Sequence, residues 1–188
     1  MLEKNSDDFD VVIPSRSLRE FTSVFSDDIE TVEVFFANNQ ILFRSEHISF
    51  YTRLLEGNYP DTDRLIPTEF NTEATFNVAN LRFAMERARL LSNATQNGTV
   101  KLEFKNGVVS SHVHSPEVGR VNEEIDTSAV SGEDLSISFN PTYLIEALKA
   151  IDSEQVVIRF ISSVRPFTLV PEGNEQGFIQ LITPVRTN

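Results

Sequence analysis

The chain has 188 residues, 40% of them hydrophobic, with 15 Phe and only 7 Gly, a composition that can bury a core and excludes intrinsic disorder, collagen-like and coiled-coil classes. Sixteen Lys and Arg against 28 Asp and Glu leave a net charge of -12, which excludes a non-specific nucleic-acid binder with a uniformly basic surface unless its positive charge is locally concentrated. The absence of Cys rules out disulfides, thiolate zinc sites and cysteine nucleophiles, and the start Met1-Leu2-Glu3-Lys4-Asn5-Ser6-Asp7-Asp8 has no apolar signal core, so the expectation is a cytoplasmic protein with no membrane segment.

In chain order, Val12-Ile13-Pro14 leads through a turn into a helix over residues 15–24, where Leu18, Phe21, Thr22 and Phe25 recur at the spacing of one helix face. Strand patterns over 32–36 and 41–44 follow, joined by Asn38-Asn39. Residues 57–67, bounded by Gly57, Pro60 and Pro67, read as a linker. Next, Thr75-Phe76-Asn77 opens a helix over 78–92 with Leu81, Ala84, Met85 and Ala88 on one face. Strands over 100–104 and 108–113 flank Asn106-Gly107, the best short hairpin signal because both turn residues need positive φ. Finally Ser138-Phe139 leads to Asn140, a helix N-cap with Pro141 at the first helical position, and a helix over 141–150 carrying Leu144, Ala147, Leu148 and Ile151. Strands over 156–161, 167–170 and 178–185 end the chain.

These segments form one unit repeated three times. Leu18, Leu81 and Leu144 lie 63 residues apart at equivalent places in windows that read strand, helix, strand, strand, strand. A sheet with one helix buries a single face, so two units side by side predict an α+β domain of two helices and eight strands in about 120 residues. Residues 67–188 make such a pair and residues 1–66 make half of another. The half would expose an unpaired strand edge and Phe21, Phe25, Phe35 or Phe36, which predicts local disorder or self-association there.

Few residues suggest catalysis. His112 and His114 alternate on one strand face, and without a third ligand at defined spacing they read as a solvent-facing pair rather than a metal site. A small hydrolase built on His112, His114 and carboxylates is the rival reading, as is a repeat-built interaction domain unrelated to DNA. The clusters Asp27-Asp28, Glu123-Glu124 and Glu133-Asp134 sit at element ends, where solvated charge is the default. No phosphate-binding glycine loop and no nucleophile elbow is present.

The helices differ in charge from the rest. They hold Arg16, Arg19, Arg82, Arg87, Arg89 and Lys149 against Glu20, Glu86 and Glu146, a balance of +3, while the remainder carries -15. Two readings stand: ordinary helix decoration, or a helix face turned to a polyanion. The terminal run Leu181-Ile182-Thr183-Pro184-Val185-Arg186 likewise reads as the end of a core strand or as the wall of an exposed groove for a partner peptide.

Taken together, the three-fold unit, Tyr59-Pro60-Asp61 with Arg64-Leu65-Ile66-Pro67, the run Ala88-Arg89-Leu90-Leu91-Ser92-Asn93, Phe139-Asn140 with Tyr143-Leu144, and the ending Thr183-Pro184-Val185-Arg186 resemble the bacterial β sliding clamp, the processivity subunit of the replicative DNA polymerase. The resemblance covers the whole chain. It implies the clamp fold, with helices on one side and antiparallel sheets on the other, residues 1–66 as the second half of the middle domain and 67–188 as the complete C-terminal domain. It also implies a truncated form or gene fragment whose Met1 starts inside a domain.

The function so implied is non-catalytic, an accessory subunit of the DNA polymerase III holoenzyme that encircles duplex DNA when full length and needs neither cofactor nor metal. The implied partners are the replicative polymerase, the clamp loader and other client proteins with short apolar motifs, with double-stranded DNA bound without sequence preference in the closed ring. The partner-peptide pocket falls on Pro60, Arg64, Leu65, Asn140, Tyr143, Val164, Pro166 and Leu181, Ile182, Thr183, Pro184, Val185 and Arg186, and Gln96 stands where some relatives carry an aromatic wall. The ring homodimer contact maps to Leu90 and Leu91, with Glu117, Glu123 and Glu124 nearby, a contact not expected to form in this chain. Arg16, Arg19, Arg82, Arg87, Arg89 and Lys149 would face the DNA.

Overall fold

The computed structural model describes residues 9–25, 29–57, 59–62, 64–92, 98–115, 119–173 and 177–186. The chain divides into two compact units, residues 1–61 and 62–188. In the first, helix α1 (Ser15–Val24) precedes the antiparallel strands β1 (Glu33–Ala37), β2 (Gln40–Arg44) and β3 (Ser49–Arg53), arranged in that order. The apolar spacing of α1 sets Phe21 against the sheet, its ring 4.6 Å from Phe43 and 6.3 Å from Phe50, with Phe25 stacked on it at 4.5 Å. Ser17 Oγ and Thr52 Oγ1 share a hydrogen bond of 2.8 Å across the same contact.

Phe25 and Ile41 are the only buried apolar residues among the described residues of this unit. Leu18 departs from its expected place in a core, being 43% exposed. The reason is that α1 has no sister helix within its unit, whereas α2 and α3 below cover each other. Val12 and Ile13, expected to open the unit as a strand, join no ladder; the Leu55 N–H bonds the Val12 carbonyl at 2.8 Å, and the Phe9 ring lies 4.3 Å from that of Phe36.

The second unit contains β4 (Thr72–Asn77), α2 (Val78–Ser92), β5 (Val100–Lys105), β6 (Val108–Ser115), β7 (Gly119–Ile125), β8 (Ala129–Gly132), β9 (Leu135–Phe139), α3 (Pro141–Lys149), β10 (Gln155–Phe160), β11 (Phe167–Pro171) and β12 (Gln180–Ile182). They build a five-stranded sheet, β12-β11-β10-β4-β8, and a four-stranded sheet, β7-β6-β5-β9. Asn106 and Gly107 take φ of 52° and 79°, the positive pair that the β5–β6 hairpin requires. Both helices begin on an asparagine cap: Asn77 Oδ1 accepts from the Asn80 N–H at 3.0 Å, and Asn140 Oδ1 from the Thr142 N–H at 2.9 Å. The residue at the same place before α1 is Pro14, which has no side-chain cap to offer.

Strands are exchanged between the two repeats. β4, which opens the first, pairs with β10 of the second, and β9, which opens the second, pairs with β5 of the first. The registers correspond, with Phe76 opposite Val156 and Phe139 opposite Val100. Neither repeat completes a sheet without the other, so the core is shared: Phe104 meets Phe160 at 4.9 Å, Phe160 meets Phe167 at 5.1 Å and Phe167 meets Phe139 at 5.2 Å. Each such ring withdrawn fully from water contributes about 1.5–3 kcal/mol before entropy is counted.

Among the described residues the second unit has nine strands, against the eight expected. The extra one, β8, forms where the chain crosses from one sheet to the other and lies along β4. It ends at Gly132, φ 98°, where a Cβ would stand 1.9 Å from the Asn71 carbonyl oxygen.

After its third strand, each repeat closes back on its own opening segment through one equivalent hydrogen bond. Leu55 donates to Val12 at 2.8 Å, Ser128 to Thr75 at 2.9 Å and Val185 to Ser138 at 2.7 Å. The three acceptors share the spacing of Leu18, Leu81 and Leu144, so the repetition is carried by the backbone even where Leu18 leaves the core.

Candidate functional site

An open groove of about 370 Å³ runs between α3 and β12. Its helix wall is Tyr143, Glu146 and Ala147, which the i, i+3, i+4 spacing places on one face; its strand wall is Gln180, Leu181, Ile182 and Thr183. The ring of Tyr143 is 60% exposed. Ile182 is buried beneath, opposite Phe167 in the β11–β12 ladder, and Leu181 is half-buried opposite Thr168. Apolar walls with polar groups at the rim suit an extended segment with apolar anchors.

Four residues expected in the peptide pocket therefore converge: Tyr143, Leu181, Ile182 and Thr183. Asn140 begins the same helix, but its side-chain oxygen is committed to the Thr142 N–H. Val164 and Pro166 lie in the β10–β11 connection, and the register continued one step past Phe167–Ile182 sets Pro166 level with Thr183. Pro184 and Val185 are half-buried as the chain leaves β12 for the edge of β9, and Arg186 is exposed. Arg64 and Leu65 are exposed in a turn closed by the Leu65 and Ile66 N–H groups on the Thr62 carbonyl, at 3.0 and 3.2 Å. Pro60 is exposed at the end of the first unit. Gln96 and Glu117 lie outside the described residues, as do Asp27 and Asp28.

Glu146, Ala147 and Gln180 belong to this groove and were not singled out for it in the sequence. Their signal was available for the helix, since Glu146 and Ala147 share a face with Tyr143; Gln180 follows only from the strand register.

The basic helix face is largely compensated. Arg16 Nε lies 2.9 Å from Glu20 Oε1, Arg82 Nε 3.8 Å from Glu86 Oε1, and Lys149 Nζ 2.9 Å from Glu146 Oε1. Arg87 binds Glu123 of β7 through both Nε and Nη2. The hydrogen bond from Glu123 raises the Arg87 pKa above its ordinary value, against a smaller opposing effect of desolvation. Arg19 and Arg89 have no ion-pair partner among the described residues.

Leu90 and Leu91 diverge at the C-terminal end of α2: Leu90 is 73% exposed, while Leu91 packs against the core. The outer face of the four-stranded sheet gives no support to the hydrolase alternative. His112 spends its ring nitrogens on Asn122 Oδ1 at 2.8 Å and Ser110 Oγ at 2.9 Å, with Glu103 3.5 Å away, and His114 is exposed opposite Arg120. No group of three metal-ligating side chains occurs among the described residues, and no helix is long and apolar enough to cross a membrane.

Comparisons with known proteins agree on one family. Residues 63–186 match the model of the DNA polymerase III beta subunit, C-terminal domain, and residues 1–61 that of its central domain. The Beta sliding clamp of Streptococcus pneumoniae serotype 4 is 81% identical over 187 residues, covering 100% of this chain and 50% of that protein. That of Lactococcus lactis is 54% identical over 189 residues, again covering 100% and 50%. The chain spans about half the length of the curated relatives it matches. A crystal structure of the Streptococcus pneumoniae DNA polymerase III beta chain superposes with a TM-score of 0.92 at 81% identity, covering 99% of this chain and 49% of that one. The Bacillus subtilis DNA polymerase sliding clamp does so with 0.86 at 37% identity, covering 99% and 49%.

Proposed function

The chain belongs to the bacterial β sliding clamp family, the DNA polymerase III beta subunits, and from that membership we propose that it works as the second half of a clamp's middle domain, residues 1–66, joined to its C-terminal domain, residues 67–188. As part of a whole clamp it contributes to a ring that encloses duplex DNA in the cytoplasm and confers processivity on the replicative polymerase. The role is non-catalytic. Retention on DNA is topological, so phosphate contacts need only be weak enough to slide, and the compensated cations of α1, α2 and α3 fit that need better than a dense basic stripe. Leu90, the exposed leucine at the end of α2, would belong to the contact between subunits of the ring.

The observation that carries the reading is the groove between α3 and β12. In it Leu181, Ile182 and Ala147 supply apolar walls, while Tyr143, Glu146 and Gln180 offer polar atoms to an extended client peptide. Pro184, Val185, Arg186, Val164, Pro166, Arg64, Leu65, Pro60 and Asn140 are proposed to extend this site toward further residues of the polymerase, the clamp loader and other clients. The test is a fluorescence-polarisation titration with a labelled peptide bearing two apolar anchors, alongside a labelled duplex. Saturable peptide binding with at most weak duplex binding is expected. Tight duplex binding that survives high salt, or failure of the peptide to bind, overturns the reading.

A further inference from the structure

Alternation along β1, β2 and β3 divides the first sheet into two faces. Phe43 and Phe50 lie on the side of α1, where the Phe21 ring meets both. On the opposite face Phe35, Leu42 and Tyr51 stand level with one another across the three strands. Phe35 is 40% and Tyr51 72% exposed, with Leu42 half-buried between them. All three line a shallow depression of about 360 Å³.

The fold does not require apolar side chains at these positions. Superposing the turn Asn38-Asn39 on Asn106-Gly107 sets the row level with Glu103, Ser110 and Glu124 of β5, β6 and β7. In the remaining repeat the same row is Arg159, Thr168 and Leu181, and Leu181, the one apolar member of those two rows, belongs to the peptide groove. Strands laid alongside do not cover this face: β5 has a neighbour on either edge, β6 and β9, yet Glu103 keeps 36% of its side chain in water. The exposure of Phe35, Leu42 and Tyr51 therefore follows from the face they occupy and not from the edges of their sheet. A contiguous apolar row on such a face marks an interaction surface.

Charge selects the partner. Arg44 stacks on the Phe35 ring at 4.6 Å, and its Nε donates to Glu33 Oε2 at 2.9 Å, so that cation is compensated. Arg53, the next residue after Tyr51 on this face of β3, is exposed and has no ion-pair partner among the described residues. The face thus keeps one uncompensated cation in a chain of net charge -12. A row over three strands is about 10 Å long, a length that about two turns of α-helix span. We propose that this face docks an amphipathic helix of another protein, its apolar stripe laid along Phe35, Leu42 and Tyr51 and bordered by carboxylates that meet Arg53. A second copy of the chain fits less well, because it would bring Arg53 toward Arg53 and one charge of -12 toward another.

The probe is a labelled helical peptide with Leu and Phe along one stripe and Glu beside it, titrated by fluorescence polarisation against the full chain. A second peptide carries Gln in place of each Glu. The expected result is saturable binding of the Glu peptide, several-fold tighter than that of the Gln peptide, with the difference closing in Arg53→Gln and at high salt. Tyr51→Asp, at an exposed position, keeps the far-ultraviolet circular dichroism and weakens the Glu peptide at least about tenfold. Leu181→Asp in the groove leaves it unchanged, and an excess of a two-anchor client peptide does not displace it. Failure of the Glu peptide to bind, equal binding of the Gln peptide, unchanged affinity in Tyr51→Asp, or displacement by the client peptide overturns the proposal. Sedimentation showing a dimer that Tyr51→Asp dissolves would assign the face to a second copy and overturn it too.

Discussion

Arg87 of α2 donates from Nε to Glu123 Oε2 of β7 at 3.2 Å, tying the helix to an edge strand of the four-stranded sheet. The bond pairs a cation that stays on the helix surface, leaving Arg19 and Arg89 as the helix cations without a carboxylate partner among the described residues. At roughly -0.9 per phosphate contact, duplex binding should show a slope of log K against log salt no steeper than about -2. Glu123→Gln releases Arg87, so affinity at low salt should rise and the slope should steepen by about one. Titrations of a labelled duplex at several salt concentrations check both.

Charge placed in the groove should weaken peptide binding. Leu181→Asp on the strand wall and Ala147→Asp on the helix wall each should weaken a client peptide at least about tenfold, some 1.4 kcal/mol. Replacing Pro184 and Val185 together by charged residues should remove binding altogether. Fluorescence polarisation reads these losses, and peptide affinity unchanged in all three variants would move the site elsewhere.

Asn77 and Asn140 both cap their helices, accepting from the Asn80 and Thr142 N–H groups, so Asn77→Ala and Asn140→Ala should cost about 1 kcal/mol each. Urea unfolding followed by circular dichroism measures the loss. Because Asn140 also borders the groove, its variant separates the two roles: a stability change without a change in peptide affinity assigns the residue to capping alone.

The equivalent leucines should differ in cost. Leu81 and Leu144 are fully buried, so Leu→Ala at either should destabilise the second unit by about 2–5 kcal/mol. Leu18→Ala, at an exposed site, should cost less than about 1 kcal/mol under conditions where the chain is monomeric. Denaturant midpoints of the three variants give the comparison.

Much of this architecture was legible in the residues. The helices fall over 15–24, 78–92 and 141–149 because apolar spacing and the Asn140-Pro141 start mark them directly. Strand exchange was not legible, since β4 and β5 carry the same apolar pattern whichever sheet receives them. β8 was missed because Ala129-Val130-Ser131-Gly132 is short and weakly apolar, and it becomes a strand only by lying on β4. The opening of the first window shows the converse: Val12 and Ile13 read as a strand, but a strand needs a neighbour. In the groove, Leu181 and Ile182 stood out as apolar residues near a chain end, where polar ones are usual. Gln180 did not, because its place depends on a ladder that sequence spacing cannot supply.

Strand exchange also sets an order of assembly for a chain made from its N-terminus. β5, β6 and β7 can zip together as soon as they emerge from the ribosome, but β4, made before them, stays without its main neighbour until β10 is synthesised. During that interval the nascent chain presents Phe76 and an open apolar edge to its surroundings, the circumstance in which newly made chains aggregate or recruit chaperones. The bond from Val185 to Ser138 closes last. Pausing of translation before Phe160 would thus hold the protein at its stickiest stage, with one sheet nearly built and the other still waiting for its central strand.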